Sequence, residues 1–151
     1  MKIRIANKFD MPYLIDMVKH FHEAINLPET IGQPLDYVHI NKIFHHALLG
    51  AGLILIVEIE HPIGFLLALK NPNIWHPAQI SLQELILWVE PEYRKLKLGH
   101  SLMEKFTETA KDMIKNKQIT SATMSNTKNV STINYEKFGF SKFEETWVLG
   151  E

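Results

Sequence analysis

The chain has 151 residues, 46% of them hydrophobic and 22% charged, which predicts one globular domain over 1–151. Sixteen Lys and Arg against seventeen Asp and Glu leave a formal charge of −1, which argues against a general nucleic-acid binder with its broad excess of cations. Cysteine is absent, so disulfides, thiolate metal sites and cysteine nucleophiles are excluded together.

Taken in chain order, residues 1–6 alternate apolar and basic side chains, which predicts a strand over 2–6 and not the apolar core of a secretion signal. Asp10 is placed to cap a helix with Pro12 in its first turn, where a missing N–H loses no bond. The residues Leu14, Met17, Val18, Phe21 and Ile25 of that helix repeat at helical spacing. A second helix is expected from about 34 to 49, with Ile40, Ile43, Phe44 and Leu48 facing inward. Two β-rich runs, 51–59 and 63–69, flank Glu60-His61-Pro62 and read as a hairpin. The first of them is the most hydrophobic stretch and is far too short to cross a bilayer, so no membrane association is expected and a cytoplasmic location is.

Residues 81–89 form the next strand, stopped by Pro91. Between about 96 and 116 the positions Leu98, Leu102, Phe106, Ala110, Met113 and Ile114 mark the longest helix. A strand over 119–124, a short helix over 130–138 and a last strand over 140–149 complete the order β-α-α-β-β-β-α-β-α-β. That pattern predicts a mixed α/β layered domain with a strand-helix-strand unit in its second half.

The chemistry is concentrated where the strand ending at Val89 meets the long helix. The segment Val89-Glu90-Pro91-Glu92-Tyr93-Arg94-Lys95-Leu96-Lys97-Leu98-Gly99-His100-Ser101 is a basic turn opening a helix. Such a turn aims main-chain N–H groups at one point, the helix dipole adds positive charge there, and Arg94, Lys95 and Lys97 add cations. A phosphate or pyrophosphate is the ligand this arrangement suits; the bland alternative is a solvated connection. Downstream stands Asn129-Val130-Ser131-Thr132-Ile133-Asn134-Tyr135-Glu136-Lys137-Phe138-Gly139-Phe140. Its glycine can end a short helix and its Tyr135 reads, taken alone, as a half-buried tyrosine.

Together these two segments resemble the GNAT superfamily of N-acetyltransferases. The first is similar to the family's acyl-CoA motif V-x-P-x-x-R-G-x-G-x-G through Val89, Pro91, Arg94 and Gly99, with Lys95 and Lys97 standing where the pattern has glycine. The second is similar to N-x-x-A-x-x-x-Y-E-K-x-G-F through Tyr135, Glu136, Lys137, Gly139 and Phe140, with Ser131 in place of alanine and Asn129 one residue nearer the tyrosine. The resemblance implies a mixed, mostly antiparallel central sheet with helices on both faces. It implies transfer of an acetyl group from acetyl-CoA to a primary amine by direct attack in a ternary complex, with CoA as product. The acceptor is a small-molecule or protein amine.

By the same resemblance, Leu87, Trp88 and Val89 hold the pantetheine arm, and Arg94, Lys95, Leu96, Lys97, Leu98, Gly99, His100 and Ser101 the pyrophosphate, with Asn129 joining them. Tyr135 protonates the departing thiolate. Glu84 is the candidate base, with ordered water or a solvated rim carboxylate as its alternatives; strand alternation places it on one face with Ile86 and Trp88. The two lysines motivate a second reading, a non-catalytic acyl-CoA-binding or sensor protein of the same fold. The eight histidines show no ligand spacing, so no metal is expected. Trp75-His76 can line the acceptor cleft. The apolar last strand, with Trp147, Val148 and Leu149, can pair in a homodimer or finish a monomer's sheet.

Overall fold

The computed structural model describes residues 1–25, 27, 30–126 and 133–150. Strand β1 (Lys2–Ile5) leads into a 3₁₀ turn (Lys8–Asp10) and helix α1 (Met11–Ile25). The cap lies three residues earlier than the sequence suggests. The Asn7 side chain accepts from Phe9 N, while Asp10 reaches back to Asn7 N at 2.8 Å, a reciprocal capping box. Asp10 is thereby free to take both guanidinium N–H groups of Arg4, at 2.7 and 2.8 Å. The five apolar residues read from the spacing of α1 are its five buried ones.

Helix α2 (Tyr37–His46) is shorter than expected, because Asp36 accepts from His39 N and starts it after Pro34. It widens into a single turn over Ala47–Ala51, where Gly50 takes φ 108, a conformation that ends the helix and that side-chain-bearing residues rarely adopt.

The sheet follows: β2 (Gly52–Glu58), β3 (Pro62–Pro72), β4 (Ile80–Val89) and β5 (Ser121–Thr123), in spatial order β1-β2-β3-β4-β5. The first three pairings are antiparallel and β4–β5 is parallel, reached through helix α3 (Leu98–Lys115). All residues from Leu53 to Val57 and from Ile63 to Ala68 are buried, as strands covered on both faces must be. On one face Leu55, Leu66 and Leu82 pack with Leu102, Met103 and Phe106 of α3. On the other, Ile54, Phe65 and Trp88 pack with Leu14, Phe21 and Phe44 of α1 and α2. The sheet is therefore mixed, mostly antiparallel, and carries helices on both faces. Among the described residues no helix is long and apolar enough to cross a membrane.

One irregularity decides where the chemistry sits. Leu67 faces Ile86, but Ala68 faces Glu84, so Leu85 is an extra residue in β4. The bulge breaks the alternation assumed from sequence. Ile86 and Trp88 point to the α1 face, whereas Glu84, opposite Ala68, lies on the α3 face with Leu82 and Val89.

The C-terminal elements also differ from expectation. The segment expected as a helix over 130–138 is a 3₁₀ turn over Tyr135–Phe138, and its positions before 133 lie outside the described residues. No strand forms over 140–149. Residues 141–150 are exposed and pair in no ladder, so their β propensity alone does not make a strand.

Candidate active site

Strands β4 and β5 pair only from Ser81–Gln83 to Ser121–Thr123. Past that point β5 ends while β4 runs on to Val89, so its outer edge opens into a cavity of about 290 Å³. Phe21, Glu84, Leu85, Leu87, Trp88 and Val89 form one wall. Arg94, Lys97, Gly99 and His100 form a second, and Ser125, Asn126, Ile133 and Tyr135 a third.

The main chain of one residue, Ser125, joins the two groups able to move protons. The Ser125 N–H donates to the Glu84 carboxylate at 3.3 Å, and the Tyr135 hydroxyl donates to the Ser125 carbonyl at 2.7 Å. Glu84 is 6% exposed, and burial pushes its carboxyl up to about 7, against the smaller opposing pull of the Ser125 N–H. Burial, and then the nearby Glu84 charge, raise the Tyr135 hydroxyl well above its ordinary value, so it stays a neutral proton donor across the physiological range. Two acids in one cavity thus differ widely in proton affinity, the usual signature of assigned acid and base roles. Asn134 caps the Tyr135 turn by accepting from Glu136 N. Gly139, at φ 91, ends the turn in the left-handed conformation glycine favours.

At the other end of the cavity, Pro91 starts a 3₁₀ turn (Pro91–Leu96) that hands over to α3 through Lys97 at φ 56, ψ 30. No side chain caps α3, and a helix leaves its first amides without partners of its own. Arg94 folds back over the end of β4: its Nε donates to the Val89 carbonyl at 3.0 Å and its guanidinium lies 4.6 Å from the Trp88 ring centroid. The Trp88 ring meets Phe21 of α1 edge-on at 6.0 Å. His100 packs edge-on against Phe138 at 5.5 Å, tying the start of α3 to the turn that carries Tyr135.

Of the sequence-derived residues, Glu84, Leu87, Trp88, Val89, Arg94, Lys97, Gly99, His100 and Tyr135 converge on this cavity. Lys95, Leu96 and Ser101 are not part of its lining, and the Leu98 side chain is in the core at 2% exposure. Trp75 and His76 sit on an exposed loop away from it, with Trp75 78% exposed. Asn129 lies outside the described residues. Ser125, Asn126 and Phe21 were missed. Ser125 acts through its main chain, which leaves no trace in a side-chain pattern, and Phe21 reads as an ordinary helix-core position. Among the described residues no three His, Asp or Glu side chains gather as metal ligands.

Residues 50–142, more than half of the chain, match the family described as acetyltransferase (GNAT) domain. The fold is similar to that of a predicted acetyltransferase from Clostridium acetobutylicum solved with acetyl-CoA, at a TM-score of 0.71 and 15% identity, covering 99% of this chain and 95% of that one. It is similar to a Trypanosoma brucei acetyltransferase at 0.63 and 18%, covering 98% and 97%. A ribosomal-protein-alanine N-acetyltransferase from Brucella melitensis follows at 0.65 and 12%, covering 99% of each chain. No curated protein matches the sequence.

Proposed function

Because the chain belongs to the GNAT acetyltransferase family, we propose that 1–151 works as one domain that transfers an acetyl group from acetyl-CoA to a primary amine of a small molecule or protein, by direct attack in a ternary complex. The observation that carries this reading is the main chain of Ser125, whose N–H and carbonyl link Glu84 and Tyr135 beside the free edge of β4. The residues fit acetyl-CoA. A Cβ built on Gly99 meets nothing within 4 Å, so the main chain at the start of α3 is open to a phosphate. The β4 edge beyond Gln83 leaves main-chain groups available for an amide-bearing arm. When bound, acetyl-CoA supplies the activated acetyl thioester.

The chain supplies the rest. The main chain at Gly99 and His100, at the start of α3, holds the phosphates, and the edge of β4 at Leu87, Trp88 and Val89 orients the pantetheine arm and presents an N–H to the acetyl oxygen. Glu84, poised near neutrality, accepts the proton of the incoming amine directly or through one water. Tyr135, turning from the Ser125 carbonyl, gives its proton to the leaving sulfur. Phe21, Leu85 and Trp88 exclude water around the reacting groups.

The test is release of CoA thiol from acetyl-CoA in the presence of a panel of primary amines. Tyr135→Phe is expected to lower turnover by about 10²-fold or more while leaving affinity for acetyl-CoA within a few-fold. Undiminished turnover in that variant would remove Tyr135 as the acid. Saturable binding with no turnover on any amine would support the sensor reading instead.

A further inference from the structure

Tyr135 is held at the cavity by something other than a strand. β5 ends at Thr123, and among the described residues nothing after it joins a ladder. The hydrogen bonds among the described residues that tie 124–126 to 133–140 come from two neighbours, Ser125 and Asn126. The Ser125 carbonyl accepts from the Tyr135 hydroxyl. Asn126 takes the main chain of Ile133 twice: its Nδ2 donates to the Ile133 carbonyl and its Oδ1 accepts from the Ile133 N–H, each at 3.4 Å. A carboxamide carries the donor and acceptor of a peptide group. The pair therefore copies the reciprocal hydrogen bonds of two facing residues in an antiparallel ladder, where the ladder itself has stopped. Asn126 is exposed and belongs to neither core cluster, so packing does not call for an asparagine there.

The two ties are not equivalent during acetyl transfer. To give its proton to the leaving sulfur, Tyr135 must release the Ser125 carbonyl. The Asn126–Ile133 pair is then the hydrogen-bonded tie that remains, two residues ahead of the tyrosine. Ile133, Phe138 and Phe140 rest on the α3 core, but apolar contact has no direction and fixes depth better than register. We infer that Asn126 is a positioning residue for Tyr135: its carboxamide fixes the Ile133 main chain and so sets where the Tyr135 hydroxyl stands in the cavity. This rests on the acetyl-transfer reading with Tyr135 as the acid, and adds to it the residue that keeps the acid in place.

The experiment compares wild type, Asn126→Ala, Tyr135→Phe and the double variant. Its first readout needs no substrate: the Cζ resonance of Tyr135 in protein with isotope-labelled tyrosine, identified among the four tyrosines by its loss in Tyr135→Phe. Asn126→Ala is expected to shift that resonance, to leave the other three in place, and to move the unfolding midpoint by no more than about 2 °C. The second readout is turnover of acetyl-CoA with the amine of the panel that gives the fastest CoA release. Asn126→Ala is expected to lower kcat by about 10-fold, with KM for acetyl-CoA within about twofold of wild type. In the Tyr135→Phe background the same substitution is expected to lower kcat by less than about twofold, because the group it positions is gone. An unmoved Tyr135 resonance, an unchanged kcat, or an equal loss in the Tyr135→Phe background would overturn the inference and leave the acetyl-transfer reading standing. A shift of all four tyrosine resonances would overturn it as well, by marking general damage to the fold. A wild-type protein that releases CoA with no amine of the panel would remove the acetyl-transfer reading and this inference with it.

Discussion

Glu84 is a carboxyl group kept in the core of a sheet with one main-chain N–H as its partner, and its value near 7 follows from that burial. A carboxyl whose folded value lies above its unfolded one favours folding only while protonated. Its contribution is complete at acid pH, and it fades as pH rises from the ordinary carboxylate range through about 7. Glu84→Gln is therefore expected to stabilise the protein above pH 7, on the order of 2–3 kcal/mol at most, while abolishing most turnover. Thermal melts at pH 5 and pH 8 check this: the gain must appear only at the higher pH. In the wild type the same group makes kcat/KM rise through about pH 7, and Tyr135 adds no alkaline fall, because its proton is held well beyond that range. Both residues were legible in the sequence as a carboxylate before a basic turn and a tyrosine before Glu-Lys-x-Gly. The link between them was not, since Ser125 contributes its main-chain N–H and carbonyl and no side chain.

At the level of elements, β-bulges and caps decide what periodicity alone does not. The extra residue Leu85 is defined by the register with β3, a contact nearly twenty residues away in sequence, so no local pattern reveals that Glu84 shares the face of Leu82 and Val89. Strand existence, helix existence and the buried faces of α1 and α3 were legible because they rest on local repeats. Arg4 is a comparable non-local device. It binds Asp10 through two hydrogen bonds and Glu58 of β2 at 2.8 Å, fastening the capping turn of α1 to the sheet edge. The Arg4 guanidinium beside Asp10 holds that carboxyl below its ordinary range, so the stability it provides is present above that range and lost as pH falls through the depressed value. Arg4→Met is expected to lower stability by about 1–3 kcal/mol, less than for a fully buried pair because solvent screens Arg4. It should also flatten the acid side of the stability curve. Denaturant unfolding at pH 4 and pH 7 measures both, and an unchanged midpoint at pH 7 would refute the role.

For the whole molecule, one sheet separates two unlike layers. The α3 face carries the residues of the family match, and the α1–α2 face is built largely from residues ahead of position 50, where that match begins. That division explains why the family was legible in the sequence and an acceptor was not: recognition of an acceptor has no fixed spacing to read. It also isolates the C-terminal segment, where Phe143, Trp147 and Leu149 are 89%, 87% and 101% exposed and add nothing to either core. Deleting the residues after Phe140 is expected to move the unfolding midpoint by no more than about 2 °C. A large drop in the midpoint would show that the segment belongs to the fold. The account as a whole rests on the cavity between β4 and β5 accepting acetyl-CoA. The most direct measurement is calorimetric titration of purified, cofactor-free protein with acetyl-CoA: saturable binding of one molecule per chain is predicted, and a folded protein that takes up none would contradict the account.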